Sequence, residues 1–375
     1  MITRTLADTI QKDQKPGFVT IIYGPRRVGK TVLLDQLMTG IKKEDVMWFN
    51  GDIQESRDVL STNSDTVLRQ LVQQAKNIVI DEAQRIPNIG LSIKILIDAF
   101  PEKRIYVTGS SSLMLSRGLQ DSLTGRNKTY RLFPLSTHEL TEELSMYQKR
   151  ARLDEQLRFG GYPYLQSLAT DHEKTLYLRS IVSDYVFKDV LELTTIEQPD
   201  NLRKLAILLA FQIGSQVSYN ELAQNLRIDV KTIMRYLSLL RESFVVFEVG
   251  SFSRNLRNEL SKSKKYYFWD LGIRNALIDQ FMSLEVRPDK GQLWENFLAV
   301  ERVKLHEYQA NLKQYFFWRT YEQVEIDWLE LQEGTIHAYE FKWRGVAKTP
   351  KAFRDAYQTS VETISPDNYL EFITR

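Results

Sequence analysis

The residues best suited to chemistry lie near the start of the chain, between an apolar run and a stretch with helical character. The run Phe18–Tyr23 leads into the pattern G-x-x-x-x-G-K-T, which ends at Thr31. A strand, a glycine-rich loop and a helix in this order predict a loop that wraps a phosphate with its backbone N–H groups. Lys30 would reach the β- and γ-phosphates, and the Thr31 hydroxyl would bind Mg²⁺. The residues expected to hold the nucleotide are Gly24, Pro25, Arg26, Arg27, Val28, Gly29, Lys30, Thr31 and Val32.

A second pattern is a buried-type strand that ends in two acids. The run Asn77–Ile80 is followed directly by Asp81 and Glu82. We expect Asp81 to hold the Mg²⁺ through water and Glu82 to orient and polarise the attacking water. Adjacent acids also occur at solvated strand ends, but their place behind a phosphate loop favours the catalytic interpretation.

A third strand, Arg104–Gly109, runs into three serines. P-loop ATPases with a catalytic glutamate carry an additional strand between the two motif strands, and its end places a polar side chain near the γ-phosphate. Ser110 is the first candidate for this sensor, and Thr108 is the second. The alternative is that Ser110 caps a helix beginning at Leu113.

Hydrolysis of this kind often uses an arginine to stabilise charge in the transition state. Arg126 follows a glycine in the loop Leu123–Arg126 and is the candidate. A surface ion pair is the alternative. Whether Arg126 would act on its own nucleotide or on that of a neighbouring subunit stays open at this stage.

Composition sets the broad class. A chain of 375 residues predicts two or three domains, and 43% apolar with 26% charged residues is typical of a water-soluble globular protein. No apolar run approaches the roughly 18 residues that span a bilayer, and Met1–Asp8 lacks the plan of a signal peptide. The absence of cysteine excludes disulfides and thiolate chemistry. We therefore expect a cytoplasmic protein without membrane association. The net charge of +2 gives no general sign of a nucleic-acid binder.

Several motifs in a fixed order carry a resemblance to a known family: Gly24–Thr31, Ile80–Gln84, Thr108–Ser111, Leu123–Arg126, Phe133–Ser136 and Gly160–Pro163. The series resembles a prokaryotic family of AAA-type ATPases whose C-terminal conserved domain is related to PD-(D/E)XK nucleases. The resemblance covers nearly the whole chain. It implies ATP and Mg²⁺ as cofactors, with Lys30, Thr31, Asp81 and Glu82 as their ligands. Tyr164 departs from the pattern, because an acid is expected after Gly-Gly-x-Pro.

The middle of the chain predicts a helical lid over about 150–197, followed by a winged helix-turn-helix over 198–278. Ser218 and Asp229 are suited to cap the second and third helices of that plan. Segment 227–241 has four basic residues against one acid, and 251–268 has five against one. This local charge predicts phosphate-dominated contacts with nucleic acid, DNA in preference to RNA. Docking between subunits is the alternative. The predicted contact residues are Lys231, Thr232, Arg235, Arg254, Arg257, Lys264 and Lys265.

Near the C-terminus, two strand-like runs flank Glu333-Gly334, which predicts a two-residue hairpin turn. The resulting register places Asp327 opposite Glu340 and Glu325 opposite Lys342, all on one face. Facing carboxylates repel unless a cation lies between them. An Asp followed by Glu-x-Lys on the next strand is the PD-(D/E)XK arrangement. Asp327, Glu340 and an upstream Glu295 would bind Mg²⁺ or Mn²⁺, and Lys342 would position or deprotonate the attacking water. An ordinary charged hairpin face is the alternative.

Together these patterns predict an α/β protein of three parts: an AAA-type P-loop core with lid (1–197), a winged helix-turn-helix (198–278) and a restriction-endonuclease-like domain (279–375). The expected function is a Mg²⁺-dependent ATPase coupled to DNA binding, with metal-dependent cleavage as an added activity to be tested. The alternative is a signalling or scaffold ATPase whose C-terminal domains bind partners. A homo-oligomer or ring is compatible with an AAA-type core.

Overall fold

The computed structural model describes residues 2–62, 64–109, 123, 125–183, 198–253, 264–311, 313–320 and 322–374. The chain divides into two compact units, Met1–Phe133 and Pro134–Arg375. Among the described helices, none is both long and apolar enough to cross a membrane.

The first unit is built on a parallel sheet with helices in the connections. Its elements are α1 (Thr5–Asp13), β1 (Val19–Tyr23), α2 (Lys30–Leu37), β2 (Val46–Asn50), α3 (Gln54–Leu60), α4 (Asp65–Val72), β3 (Asn77–Asp81), α5 (Ile89–Ala99), β4 (Arg104–Gly109) and β5 (Asn127–Arg131). Short 3-10 turns cover Lys43–Asp45 and Ala83–Arg85.

The strand order β2-β3-β4-β1-β5 determines where the chemistry can lie. All neighbouring strands are parallel, so their carboxyl ends meet at one edge of the sheet. Strand β4 lies between β1 and β3, which confirms the predicted insertion of an extra strand between the two motif strands. The P-loop after β1 and the acids after β3 therefore share an edge with the end of β4.

The three central strands β1, β3 and β4 are buried on both faces, as expected for a parallel sheet covered by helices. Ile21, Ile78, Ile80 and Val107 are at most 4% exposed and pack in one cluster with side chains of α4 and α5. Burial of each such side chain contributes about 2 kcal/mol relative to exposure. This core fixes the edge of the sheet from which the motif residues project.

The second unit contains a mixed sheet and most of the described helices. Its elements are α6 (Thr137–Thr141), α7 (Met146–Phe159), α8 (Asp171–Ile181), α9 (Pro199–Phe211), β6 (Gln216–Val217), α10 (Tyr219–Leu226), α11 (Val230–Glu242), β7 (Val246–Ser251), β8 (Lys264–Phe268), α12 (Leu271–Leu277), α13 (Lys290–Tyr308), β9 (Gln314–Arg319), β10 (Glu325–Gln332), β11 (Thr335–Phe341), α14 (Lys351–Tyr357), β12 (Val361–Ile364) and α15 (Tyr369–Thr374). A 3-10 turn covers Pro163–Ser167. Helices α7 and α8, expected as part of a lid on the ATPase core, belong to this second unit.

The second sheet has the order β12-β11-β10-β9-β7-β8-β6. Strand β7 pairs in parallel with β9, and β11 pairs in parallel with β12, whereas the other neighbours are antiparallel. The β10–β11 hairpin has the predicted register, with Trp328 opposite Tyr339 and Gln332 opposite Thr335. Both turn residues have positive φ, 50° at Glu333 and 81° at Gly334, as a tight hairpin turn requires.

Two predicted caps define the helix pair α10 and α11. The Ser218 hydroxyl accepts the N–H of Glu221 at 3.4 Å, and the Asp229 carboxylate accepts the N–H of Thr232 at 2.9 Å. Between the helices Arg227 adopts a left-handed conformation at φ 55°, which ends α10 sharply.

Candidate functional site

The loop between β1 and α2 has a backbone shaped for an anion. Arg27 and Gly29 have positive φ, 64° and 92°, and such alternation turns successive N–H groups toward one concavity. Gly24 has no space for a side chain, because a Cβ there would lie 2.1 Å from the carbonyl oxygen of Leu132. The Lys30 ammonium is buried and donates to the carbonyl oxygens of Gly24 and Pro25 at 3.0 and 2.9 Å. The predicted phosphate loop therefore has a backbone that can wrap an anion, with the Lys30 ammonium beside it.

The first turn of α2 and the ends of β3 and β4 are joined by side-chain hydrogen bonds centred on Asp81. The Thr31 hydroxyl donates to Oδ2 of Asp81 at 2.7 Å, and the Thr108 hydroxyl donates to Oδ1. Asp81 and Thr108 are 2% and 0% exposed. Thr31 and Asp81 therefore bring two hard oxygen ligands side by side, which is the ligand type that Mg²⁺ prefers.

Glu82 is held in a left-handed conformation at φ 51°. Its N–H lies 3.2 Å from both Oδ1 of Asp81 and Oγ1 of Thr108. The Gln84 amide donates to Oε2 of Glu82 at 2.5 Å, so the carboxylate has a fixed partner. Gly51, at the end of β2, packs on this turn: a Cβ there would lie 2.2 Å from the Glu82 carbonyl oxygen. The roles of Gln84 and Gly51 are not evident from the sequence patterns.

Arg4 is a further residue that sequence reasoning missed. Its guanidinium is buried and donates to the carbonyl oxygens of Val28 and Phe133 at 2.5 and 2.7 Å. Its backbone N–H donates to Oε1 of Gln36 in α2 at 3.0 Å. Arg4 therefore braces the P-loop from behind. A lone arginine before a short amphipathic helix gives no sequence signal for such a role.

The two remaining candidates of the ATPase site have different outcomes. Ser110 lies outside the described residues, whereas Thr108, the second candidate, contacts Asp81 directly.

Arg126 lies at the amino end of β5 and accepts the Val19 N–H through its carbonyl oxygen, at the sheet edge opposite the P-loop. With about 3.3 Å per residue along β1, the two edges are roughly 16 Å apart. The Arg126 side chain forms an ion pair with Asp98 instead. The structure does not bring Arg126 to the P-loop of its own chain.

In the second unit, a cluster of carboxylates assembles around a lysine from β8. Lys265 is 1% exposed and donates to Oε1 of Glu295 at 2.9 Å and to Glu325. The Tyr267 hydroxyl donates to the same Glu295 oxygen at 2.8 Å. Burial alone would lower the pKa of the Lys265 ammonium, but the charges of Glu295, Asp327 and Glu325 outweigh it and raise that pKa. Lys265 is therefore a buried cation rather than the predicted nucleic-acid contact.

The predicted hairpin carboxylates lie beside this lysine. Asp327 accepts the Phe341 N–H through Oδ2 at 2.9 Å, and its own N–H lies 3.4 Å from Oε2 of Glu340. The Lys342 ammonium donates to Oε1 of Glu340 at 2.7 Å. It does not pair with Glu325, which is bound by Lys265 and by Arg319 at 3.2 Å. Burial, together with the charges of Glu295 and Glu340, raises the pKa of the Asp327 carboxyl.

The cluster as arranged does not fit a divalent metal. The predicted ligands Glu295, Asp327 and Glu340 each accept a hydrogen bond from a lysine, tyrosine or backbone donor. Within the described part of the chain, no group of three or more His, Asp or Glu side chains is arranged to hold a metal ion. The three acids converge as predicted, but the structure places a lysine ammonium among them.

The remaining predicted nucleic-acid contacts divide between surface and interior. Lys231 and Arg235 project from α11 into solvent. The Thr232 hydroxyl donates to Asp229 at 2.6 Å as part of the cap, and Lys264 pairs with Glu248 at 2.6 Å. Arg254 and Arg257 lie outside the described residues. Among the predicted contacts that the structure describes, Lys231 and Arg235 are the exposed basic side chains.

The Gly160-Gly161 motif has a structural explanation in the buried Asp270. The Asp270 carboxylate accepts the N–H groups of Gly161 at 2.7 Å and Ile273 at 3.1 Å. Gly160 has φ 76°, and a Cβ there would lie 2.2 Å from Oδ1 of Asp270, so any other residue would be strained and would displace the carboxylate. Tyr164, where an acid was expected, is 56% exposed and packs on Tyr177.

Comparison with known proteins supports the assignment of a P-loop to the first unit. Residues 17–141 match a family model described as an AAA domain, and residues 150–284 and 290–368 match two domains of unknown function, DUF8612 and DUF4143. The chain is 24% identical to an uncharacterized protein of Methanocaldococcus jannaschii, over 96% of this chain and 82% of the relative. It is 25% identical to an uncharacterized protein of Mycobacterium tuberculosis, over 90% of this chain and 73% of the relative.

Among solved structures, the fold is similar to that of a Walker-type ATPase of Pyrococcus abyssi. The TM-score is 0.50 at 14% identity, over 74% of this chain and 96% of that one. At this identity the likeness concerns the fold alone. The motif geometry and the strand order of the first unit agree with the match to the AAA domain model and support a P-loop ATPase fold.

Proposed function

We propose that the protein hydrolyses ATP with Mg²⁺ in its first unit. The observation that carries this proposal is the hydrogen-bonded group Thr31–Asp81–Thr108, which joins the P-loop to the ends of β3 and β4. Thr31 and Asp81 would hold Mg²⁺, directly and through water. Bound Mg²⁺ supplies neutralisation of the charge on the β- and γ-phosphates.

Each remaining group has a role in the same reaction. The P-loop N–H groups and the Lys30 ammonium bind the phosphates. Lys30 would leave the carbonyl oxygens of Gly24 and Pro25 to do so, since a phosphate is the stronger acceptor. Glu82 accepts a proton from the attacking water and orients it, while Gln84 holds the glutamate in place.

The test is steady-state ATP turnover with purified full-length protein. Lys30→Ala is expected to remove both nucleotide binding and turnover. Glu82→Gln is expected to bind nucleotide normally while turnover falls by about 10²–10⁴-fold. Glu102→Gln, a matched change at an exposed position, serves as control. Turnover that survives unchanged in Glu82→Gln would assign the general base elsewhere.

A second function, contact with nucleic acid, rests on the element order of the second unit. Helices α9, α10 and α11 with strands β6, β7 and β8 follow the order of a winged helix-turn-helix. In such folds the third helix contacts DNA, and here Lys231 and Arg235 project from α11 into solvent. We propose phosphate-dominated binding of DNA by this helix. The alternative, a partner-binding ATPase, predicts turnover that DNA does not change and no salt-dependent DNA binding.

The C-terminal part has the order α13-β9-β10-β11-α14-β12, which supports the proposal of a nuclease-like fold. Convergence of Glu295, Asp327 and Glu340 is consistent with it. Fold does not establish activity, however, and the donors already bound to these acids argue against metal-dependent cleavage in this arrangement. Cleavage scored with Mg²⁺ and with Mn²⁺ in the ATPase assay tests this directly.

A further inference from the structure

We propose that Lys265 is the resident cation of the carboxylate cluster and that its ammonium keeps divalent metal out of it. The proposal concerns the second unit alone and does not depend on ATP hydrolysis. It replaces the metal ion predicted between Glu295 and the hairpin acids with a side chain of this chain.

The alternation of β8 explains why Lys265 points inward while its neighbour does not. Successive side chains of a strand face opposite sides, so Lys265 and Tyr267 share one face and Lys264 and Tyr266 the other. Both members of the first pair donate to Oε1 of Glu295 in α13, at 2.9 and 2.8 Å. Both members of the second pair contact Glu248, at 2.6 and 3.3 Å. The alternation of the strand, and not a choice of rotamer, therefore determines that Lys265 faces Glu295.

The ligand count favours an ammonium over a metal. An ammonium offers three N–H donors, whereas Mg²⁺ or Mn²⁺ takes about six oxygen ligands in a near-octahedral shell. Two of the Lys265 donors are used by Glu295 and Glu325, and the ammonium also lies 5.4 Å from the centre of the Phe317 ring. An aromatic face attracts an ammonium but supplies no oxygen ligand.

Most of the negative charge of the cluster is already balanced by side chains of this chain. Its four carboxylates, Glu295, Glu325, Asp327 and Glu340, face three cationic side chains. Those cations are Lys265, Arg319 and Lys342. Four carboxylates against three cations leave a net charge of −1, and a divalent ion would turn it into +1. The ion would also lie beside the buried Lys265 ammonium, and repulsion between the two is strong at low dielectric. Metal can enter only when Lys265 leaves.

The test is Mn²⁺ binding to full-length, nucleotide-free protein, measured by the loss of the free Mn²⁺ signal in electron paramagnetic resonance. We expect wild type and Asp327→Asn to bind the same amount of Mn²⁺, because the carboxylate cluster of wild type holds none. Lys265→Met, which keeps length and removes charge, should gain about one Mn²⁺ per chain, in line with a vacated carboxylate site. Lys265→Met/Asp327→Asn should lose that gain. Lys264→Met, the neighbouring lysine on the opposite face, should behave as wild type.

Two results would overturn the proposal. One is a wild-type Mn²⁺ site that disappears in Asp327→Asn, and the other is a folded Lys265→Met that gains no site. If Lys265→Met does not fold, Lys265→Ala with ethylammonium in solution gives a second measurement. The small ammonium is expected to raise the Tm of Lys265→Ala and not that of Lys264→Ala. An equal response of both variants would contradict a specific cation site.

Discussion

The Thr31 hydroxyl lies 2.7 Å from Oδ2 of Asp81, although 50 residues separate them in the chain. The contact joins the first turn of α2 to the end of β3 and depends on β4 lying between β1 and β3. It places the two oxygen ligands proposed for Mg²⁺ side by side.

Thr31→Val is therefore expected to remove the metal-dependent part of ATP turnover. Valine has the shape of threonine but no hydroxyl, so Mg²⁺ loses a protein ligand while the loop keeps its backbone. Turnover should fall by about 10²-fold or more, and Thr31→Ser should restore most of it. Thr39→Val, at a hydroxyl that bonds only the Asp35 carbonyl oxygen, is the control. Equal turnover in Thr31→Val and Thr39→Val would contradict a ligand role.

Thr108→Val is expected to affect both stability and turnover. The hydroxyl donates to Asp81 and accepts the Glu82 N–H at 3.2 Å in a fully buried position. Its loss removes a buried hydrogen bond to the Asp81 carboxylate and leaves the Glu82 N–H with Asp81 alone. The loss of a buried hydrogen bond to a charged group costs about 1–3 kcal/mol of unfolding free energy. Urea unfolding and kcat of Thr108→Val and Thr108→Ser test this. A serine variant as impaired as the valine variant would indicate that the methyl group, not the hydroxyl, matters.

Gly51→Ala is expected to lower kcat without a substitution in the catalytic residues themselves. The new Cβ would lie 2.2 Å from the Glu82 carbonyl oxygen, so the turn that carries Glu82 must shift. Overpacking of this kind costs typically about 1–3 kcal/mol. Gly291→Ala, where no atom lies within 4 Å of the added Cβ, is the control and should be neutral or slightly stabilising. Unchanged kcat and Tm in Gly51→Ala would refute the close packing.

The ion pairs of Asp289 are expected to make the free energy of unfolding depend on pH in the acid range. Burial alone would raise its pKa, but hydrogen bonds and charge from Arg287 and Arg274 lower the pKa to about 2, against 3.8 ordinarily. Because the folded pKa is the lower one, the stabilisation is complete above pH 3.8 and is lost as the pH falls toward 2. The contribution is about 2 kcal/mol. Urea unfolding of wild type and Asp289→Asn should therefore differ at pH 6 and converge toward pH 3. A difference independent of pH would contradict it.

If the surface of helix α11 binds DNA phosphates, the DNA-binding constant should depend on salt concentration through Lys231 and Arg235. Lys231→Ala/Arg235→Ala should weaken DNA binding at every sequence and reduce the slope of log K against log salt by about 2, one unit per lost phosphate contact. Lys94→Ala/Arg104→Ala removes the same charge from exposed positions of the first unit and is the control. Equal slopes in both double variants would exclude α11 as the contact surface. Filter binding across a salt series measures both quantities.

Local patterns predicted the parts of this molecule that local chemistry determines. The register of the β10–β11 hairpin follows from a two-residue turn, and the caps Ser218 and Asp229 act within one helical turn. The place of β4 was also predicted, because the acids after β3 identify the class of P-loop sheet.

The remainder depends on distant contacts. Lys265 was predicted on the surface because charge counts do not register which face of β8 meets α13, although strict alternation along Lys264–Tyr267 is a signal that could have shown it. Arg126 was a candidate for its own nucleotide or for that of a neighbouring subunit, with a surface ion pair as the alternative. The parallel pairing of β5 with β1 puts it at the edge opposite the P-loop of its own chain. The brace from Arg4 has no motif at all.

Strand β7 belongs at once to the group β6, β8 and to the group β9 through β12, since Gly250 and Ser251 pair with Phe316 and Phe317. A boundary drawn at about residue 284–290, where two family models meet, therefore cuts between elements that share one hydrogen-bonded sheet. Either half made separately would expose an unpaired edge, which is an aggregation risk. We therefore expect the two segments to fold together. Gene fusion or exchange is expected to move them together, and neither is a portable module.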